Sequence, residues 1–83
     1  MEKNLDYYMN LKYEMVVREL SKETGGGIFI RVPALGESAV NAWGRNYKEA
    51  IKLLNIVKKN YFKTWLELGI EIPEPEEWWK NNV

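Results

Sequence analysis

The strongest pattern in this 83-residue sequence is one long apolar stripe at helical spacing. Its members recur three or four positions apart, at Tyr47, Ala50, Ile51, Leu54, Val57, Tyr61, Trp65 and Leu68. That spacing is typical of a helix that buries one side. Asn46 can cap the first turn with Glu49 three residues on, as in a capping box, and Gly69 suits a left-handed C-terminal cap. The sequence therefore predicts one helix over residues 46–68, about 34 Å long.

Short segments with strand-like alternation surround this helix. In three segments the side chains alternate between two faces, as in a strand: KYEMVVREL (12–20), IFIRVPAL (28–35) and AVNAWG (39–44). Pro33 should end the second strand, because it cannot donate a backbone hydrogen bond. The glycine run 25–27 supplies positive φ angles for a hairpin loop between the first two strands. Ile70 and Ile72 flank Glu71 as in a short fourth strand. We expect an α+β fold: a three-stranded antiparallel meander, one long helix packed on one face, and a short fourth strand.

The domain organisation is that of one small domain, because 83 residues leave no room for a second core. Residues 12–75 form the predicted domain, and residues 76–83 form a C-terminal tail. Residues 1–11 are an N-terminal extension that suits either a helical turn or a continuation of the first strand.

The turn between the third strand and the helix has a predicted structural role. We expect Trp43 to be a packing wedge under the helix. If Gly44 has a positive φ, a β-branched residue there should unfold the turn. Trp43 and Gly44, together with the cap residues Asn46 and Glu49, are predicted to serve in capping and packing rather than in a catalytic or ligand-binding site.

The composition excludes most enzyme chemistry. The chain has neither Cys nor His, which removes thiolate metal sites, the usual general base and the commonest metal ligand. No three carboxylates align on the predicted strands, and the glycine run lacks the helix and the Lys-Ser/Thr of a phosphate-binding loop. We expect no enzyme active site, no metal and no cofactor.

Charge is balanced overall but not along the chain. Twelve basic and twelve acidic residues cancel, which disfavours a dedicated nucleic-acid binder. Residues 46–68 contain five Lys against two Glu, a net of +3, whereas residues 69–83 contain four Glu against one Lys, a net of −3. The acidic tail is either solvated, or folds back on the helix, or meets a basic partner. No membrane-spanning run or secretory signal is visible, and we expect a cytoplasmic protein.

The tail also provides the candidate partner-binding residues. Trp78 and Trp79 either pack back over the sheet or form an exposed patch that needs a partner. The predicted partner-binding residues are Glu71, Glu74, Glu76, Glu77, Trp78 and Trp79.

Four segments occur in an order that points to a family. The strand YEMVVREL precedes a polar and glycine loop, the second strand ends in RVPAL, the turn WGRNYKEAI enters the helix, and LGIEIPEP follows it. In this order, over residues 13–75, they resemble the HicB-type antitoxin family.

That resemblance implies a partial ribonuclease-H-like fold (β-β-β-α-β) without a nuclease centre. The implied partner is a small basic HicA-type toxin that cleaves mRNA, neutralised when this domain covers its active face. Family members generally self-associate, so a homo-oligomer is expected. Eight residues follow Pro75, too few for the DNA-binding module of many members, so we expect no direct DNA binding. The alternative is an orphan HicB-like structural or regulatory domain that self-associates and has no toxin partner.

Overall fold

The computed structural model of the chain describes residues 3–36 and 39–75. Helix α1 (Leu5–Met9) comes first, followed by strands β1 (Val16–Glu19), β2 (Ile28–Arg31) and β3 (Asn41–Gly44), and then helix α2 (Tyr47–Leu68). Short 3₁₀ turns lie after β1 (Lys22–Thr24) and after β2 (Pro33–Leu35). The predicted α+β class, with one long helix beside a small sheet, is confirmed.

The three strands form an antiparallel sheet in the order β1-β2-β3, which confirms the predicted meander. Ile30 of β2 lies between Val17 of β1 and Ala42 of β3, so these three residues share one face. Ile30 and Ala42 are buried under α2. On the other face, Phe29 lies between Arg18 and Trp43.

Glycines close the β1–β2 hairpin in the predicted way. Gly25, Gly26 and Gly27 have φ angles of 101°, 70° and 91°, in the left-handed region that side chains with a Cβ avoid. The Leu20 amide donates to the Gly27 carbonyl at 2.9 Å, which joins the two ends of the loop. The hairpin prediction is confirmed.

Both ends of α2 are fixed by the predicted caps. The Asn46 side chain accepts a hydrogen bond from the Glu49 amide at 2.9 Å. The Glu49 carboxylate accepts from Arg45 Nε at 3.3 Å, so it does not complete a capping box. At the other end, Gly69 is left-handed (φ 70°) and the Ile70 amide donates to the Trp65 carbonyl, as in a Schellman motif.

The core lies between α2 and two different partner layers. At 22 residues α2 is about 33 Å long, whereas a four-residue strand spans about 13 Å. The sheet therefore covers only the first half of α2, where Ala50 and Leu54 are buried. Over the second half, Phe62 is fully buried against the rings of Tyr8 and Tyr13, with centroids 5.7 and 5.9 Å away.

The apolar stripe of α2 differs from the prediction at its ends and in its second half. Tyr47 and Leu68 are exposed, at 50% and 68%. Phe62, which the predicted stripe omits, is the most deeply buried residue of the second half, and Tyr61 and Trp65 flank it half-buried. The stripe is therefore rotated toward Phe62 once the helix passes the end of the sheet.

The N-terminal segment is helical. Asn4 caps α1 by accepting a hydrogen bond from the Tyr7 amide at 3.0 Å. Tyr8 of this helix is buried in the same core as α2 and the sheet. Of the two conformations the sequence allowed here, the helical turn is the one formed, and it supplies core to the rest of the domain.

The predicted position of Trp43 under the helix is wrong. Trp43 lies on the sheet face opposite α2, is 44% exposed, and its indole Nε1 donates to the Gly26 carbonyl at 3.0 Å. The reason is the period of two along β3: Val40 and Ala42 face the helix, so Trp43 must face away. Its indole lies on the Gly27 backbone, where any Cβ would meet it at 2.6 Å.

Gly44 is needed for a different reason from a positive φ. It is the last residue of β3, and its φ lies outside the left-handed region. A Cβ built on Gly44 would lie 2.8 Å from the Ala50 Cα and 2.9 Å from the Glu49 carbonyl carbon. The first turn of α2 thus approaches β3 backbone to backbone.

The predicted fourth strand is not formed. Residues 70–74 lie outside the sheet, although Ile72 is buried in the core. The Tyr13 hydroxyl donates to the Pro73 carbonyl at 2.6 Å, so this segment packs against the residues that precede β1. Alternation of Ile, Glu and Ile is not enough, because a strand also needs a neighbouring strand with free backbone groups.

Candidate functional site

Strand β1 is an exposed edge of the sheet. Within residues 3–36 and 39–75 it pairs with β2 alone, and all four of its residues are exposed. Val16 and Val17 are apolar side chains on this edge, and Met15 just before them is also exposed. An edge strand presents backbone N–H and C=O groups that another chain can pair with. The charged Arg18 and Glu19 complete the strand.

The position of α2 explains why β1 remains open. The helix packs on β3 and β2, because the short residues Ala42, Gly44 and Ala50 let it approach that side of the sheet closely. Val17 faces the helix side of the sheet, opposite Ile30, yet it is 46% exposed. The side chain of Val17 therefore forms an apolar surface beside the β1 edge that α2 does not cover, here called the β1 shelf.

The opposite face of the sheet has no helix on it within the described part of the chain. A row of three side chains crosses it, one from each strand: Arg18, Phe29 and Trp43. Arg31 lies in the next row between Val16 and Asn41. Aromatic and Arg side chains are the residue types enriched at protein interfaces.

A groove of about 260 Å³ lies between α2 and the segment that leads into β1. Its apolar lining includes Tyr13, Met15, Val32 and Ile51. Its charged lining residues are Lys12 and Lys58, both cationic. Burial lowers the pKa of Lys58 below its usual value, because an ammonium loses hydration in this position.

The predicted acidic residues that the structure describes have different surroundings. Glu71 is exposed. Glu74 is bound within the chain: its two carboxylate oxygens accept from Lys3 Nζ at 2.6 Å and from the Tyr7 hydroxyl at 2.5 Å. This contact ties residue 74 to the start of α1. The remaining predicted residues lie outside the described part of the chain, and they are Glu76, Glu77, Trp78 and Trp79.

The pKa values around Glu74 follow from these bonds. The hydrogen bonds from Lys3 and then from Tyr7 lower the pKa of Glu74. The hydrogen bond to Glu74 raises the pKa of Lys3, and the same carboxylate raises the pKa of Tyr7. Each shift favours the charge state that keeps the three groups together.

The described residues place no further chemical cluster together. Within 3–36 and 39–75, no three His, Cys, Asp or Glu side chains are grouped so that they could hold a metal ion. In the same part of the chain, no helix is both long enough and apolar enough to cross a bilayer. The glycine loop joins two strands, whereas a phosphate-binding loop joins a strand to a helix. At the start of α2, the Glu49 amide already donates a hydrogen bond to the Asn46 side chain.

Sequence reasoning missed the surface that stands out in the structure. It read Met15, Val16 and Val17 as part of a half-buried strand. Exposure on both faces follows from the position of α2, and the only signal was the pair of charges, Arg18 and Glu19, that commonly mark edge strands.

No protein-family model, curated protein or solved structure matches this chain.

Proposed function

We propose that this chain is a protein-binding module that receives its partner along β1. The observation that supports the proposal is the exposed edge strand β1, whose first two residues, Val16 and Val17, form with the preceding Met15 three consecutive exposed apolar residues. A partner strand could pair with the backbone of β1, while its side chains contact the β1 shelf. Main-chain pairing would provide affinity, and the side chains would provide specificity.

The sequence resemblance suggests the class of partner. We propose a small basic toxin of the HicA type that cleaves mRNA, held so that this domain covers its active face. The inhibition would be steric, and this chain would contribute no catalytic step. The β1-β2-β3-α2 order would then represent a partial ribonuclease-H-like fold. The place of its fourth strand would be the open edge beside β1.

The experiment that tests this function uses RNA cleavage as its readout. A small basic protein encoded by a neighbouring gene, where the genome holds one, would be purified and assayed on mRNA with and without the full chain. Val17→Lys would put an ammonium on the β1 shelf, whereas Ile56→Lys would put one on an exposed part of α2, at 51% exposure against 46% for Val17. We expect wild type and Ile56→Lys to stop cleavage, and Val17→Lys to lose this effect.

Two outcomes would contradict the toxin-binding function. One is that the neighbouring protein cleaves RNA equally well in the presence of the wild-type chain. The other is that both lysine variants protect RNA as the wild type does, which would place any binding surface away from β1.

A second candidate function rests on the same edge. Two copies of β1 can pair with each other, which would give an orphan domain that self-associates and has no other partner. Sedimentation of the wild type and of Val17→Lys separates the two functions. A dimeric wild type, a monomeric Val17→Lys variant and no effect on RNA cleavage would favour the orphan domain.

A further inference from the structure

We propose that the groove between α2 and residues 11–15 is the docking site for this chain's own segment 76–83. An indole of Trp78 or Trp79 would occupy the apolar part of the groove, and Glu76 and Glu77 would face Lys12 and Lys58. This intramolecular site goes beyond the proposed function, because it needs no partner protein; the groove lies between α2 and residues 11–15 and shares Met15 with the surface beside β1.

The size and lining of the groove fit one aromatic side chain. Its volume of about 260 Å³ is below the roughly 300–1,000 Å³ of pockets that hold small organic ligands. Tyr13, Met15, Val32 and Ile51 give it an apolar lining, and a Met thioether and a Tyr ring both pack well against an indole. Trp is a large apolar side chain with one polar N–H, so it suits a groove that remains open to solvent.

The charge of the groove is complementary to the segment. Among the described residues, the two charged ones that line the groove are lysines, and the segment begins with two glutamates directly before its two tryptophans. Within residues 3–36 and 39–75, Lys58 has neither a hydrogen bond nor an ion pair, although its side chain is half-buried. The attraction between an ammonium and a carboxylate is stronger at a half-buried position than in bulk water, because the local dielectric constant is lower there.

The described chain ends beside the groove. The Tyr13 hydroxyl, on a residue that lines the groove, donates to the Pro73 carbonyl at 2.6 Å. Glu74 is held by Lys3 and Tyr7, so the free span is counted from Pro75, the last described residue. Three residues reach Trp78 and four reach Trp79, a span of about 10–14 Å when extended. Ile51 and Lys58, which line the groove along α2, are seven residues apart, or about 10.5 Å of helix. The segment is therefore long enough to lie along the groove.

Attachment to the same chain favours this occupant over a free peptide. A segment held a few residues from its site has an effective concentration in the millimolar range, so even weak contacts are made much of the time. Residues 76–79 are also the one place in the sequence where two acidic residues precede two tryptophans.

Paramagnetic broadening in solution tests the proposal. The full chain has four tryptophans and no cysteine, so Asn55→Cys provides a single attachment point for a spin label on the groove side of α2. Asn60→Cys is the matched control. Residue 60 is five residues after residue 55, which places it on the opposite side of α2, and both residues are exposed. The indole N–H signals of Trp78 and Trp79 are assigned with Trp78→Phe and Trp79→Phe.

We expect the label at residue 55 to broaden a Trp78 or Trp79 signal much more than the label at residue 60 does. Equal broadening by the two labels, or no broadening from residue 55, would overturn the proposal. A mixture of two samples tests whether docking occurs within one chain or between two copies. One sample carries the spin label but no ¹⁵N, and the other carries ¹⁵N but no spin label. Broadening in that mixture would mean that one copy binds the segment of another, and would overturn docking within one chain.

Substitution of a lysine tests the charge complementarity with the same label. We expect Lys58→Met to weaken the broadening from residue 55, while Lys59→Met, at the exposed neighbouring position, leaves it unchanged. Full broadening in both variants would remove the carboxylate–Lys58 contact from the proposal. None of these measurements includes a partner protein, so their outcome is independent of the RNA-cleavage assay.

Discussion

Gly44 of β3 and Ala50 of α2 contact each other backbone to backbone. A Cβ on Gly44 would overlap the Ala50 backbone nitrogen and lie 2.8 Å from the Ala50 Cα. Both residues are buried. The distance between helix and sheet at this corner is therefore set by the absence of a side chain on one of them.

Gly44→Ala should destabilise the protein strongly. The added methyl group meets backbone rather than a side chain that could rotate away, so either β3 or the first turn of α2 must move. Overpacking of this kind costs about 3 kcal/mol in unfolding free energy. Urea unfolding followed by circular dichroism measures the loss.

Gly69→Ala is the matched control for this prediction. Gly69 has a φ of 70°, but no atom lies within 4 Å of the position that a Cβ would take, so its substitution carries conformational strain without a steric clash. We expect a loss of about 1 kcal/mol. Equal losses at positions 44 and 69 would show that close approach of the helix is not what requires Gly44.

Asn46→Ala should remove the N-terminal cap of α2. The substitution leaves the Glu49 amide without the side-chain acceptor that it has at 2.9 Å. The expected cost is about 1 kcal/mol, whereas Asn46→Asp should retain most of the stability. Asn60→Ala, at an exposed position inside the same helix, should be neutral or slightly stabilising. Thermal unfolding of the three variants checks the order, and a neutral Asn46→Ala would contradict it.

Phe62→Ala should cost about 3–5 kcal/mol, because it empties the centre of the aromatic cluster over the second half of α2. Phe62 is fully buried, and its ring contacts those of Tyr8, Tyr13 and Trp65. Phe62→Leu keeps much of the volume and gives a folded variant for comparison. Leu66→Ala, at an exposed position of the same helix, should cost well under half as much. Chemical denaturation of all three separates the core residue from the surface residue.

Glu74 should make stability depend on acidic pH. Its pKa is lowered in the folded state by hydrogen bonds from Lys3 and Tyr7. Its contribution is therefore present above the unfolded-state pKa of about 4.3, and is lost as pH falls through the lower folded-state value. We expect wild type to be more stable than Glu74→Gln at pH 7, and the difference to shrink near pH 3. A difference that does not change between these pH values would contradict the ion pair.

The local features of this fold could be predicted from the sequence because neighbouring residues determine them. The cap at Asn46, the turn at Gly69 and the glycine hairpin each depend on a few consecutive residues, and all three formed as expected. The three strands also followed from alternation, although β1 is shorter than its pattern.

The errors concern which layer covers which face. Alternation placed Trp43 and Ala42 on opposite sides, but only the position of α2 shows that Ala42 is the buried one. Adjacent apolar residues at 61 and 62 left the rotation of α2 ambiguous. The exposed β1 edge, which forms the candidate site, follows from where the helix lies, and within β1 only the charges of Arg18 and Glu19 indicated it.

The contacts between the two ends of the described chain affect the order in which it folds. Lys3 and Tyr7 contact Glu74 across 71 and 67 residues, and Tyr13 contacts Pro73 across 60. Contacts at such separations close long loops, so they cost more chain entropy than the local contacts of the β1–β2 hairpin and of α2 do. We therefore expect them to form late in folding, after the hairpin and the helix.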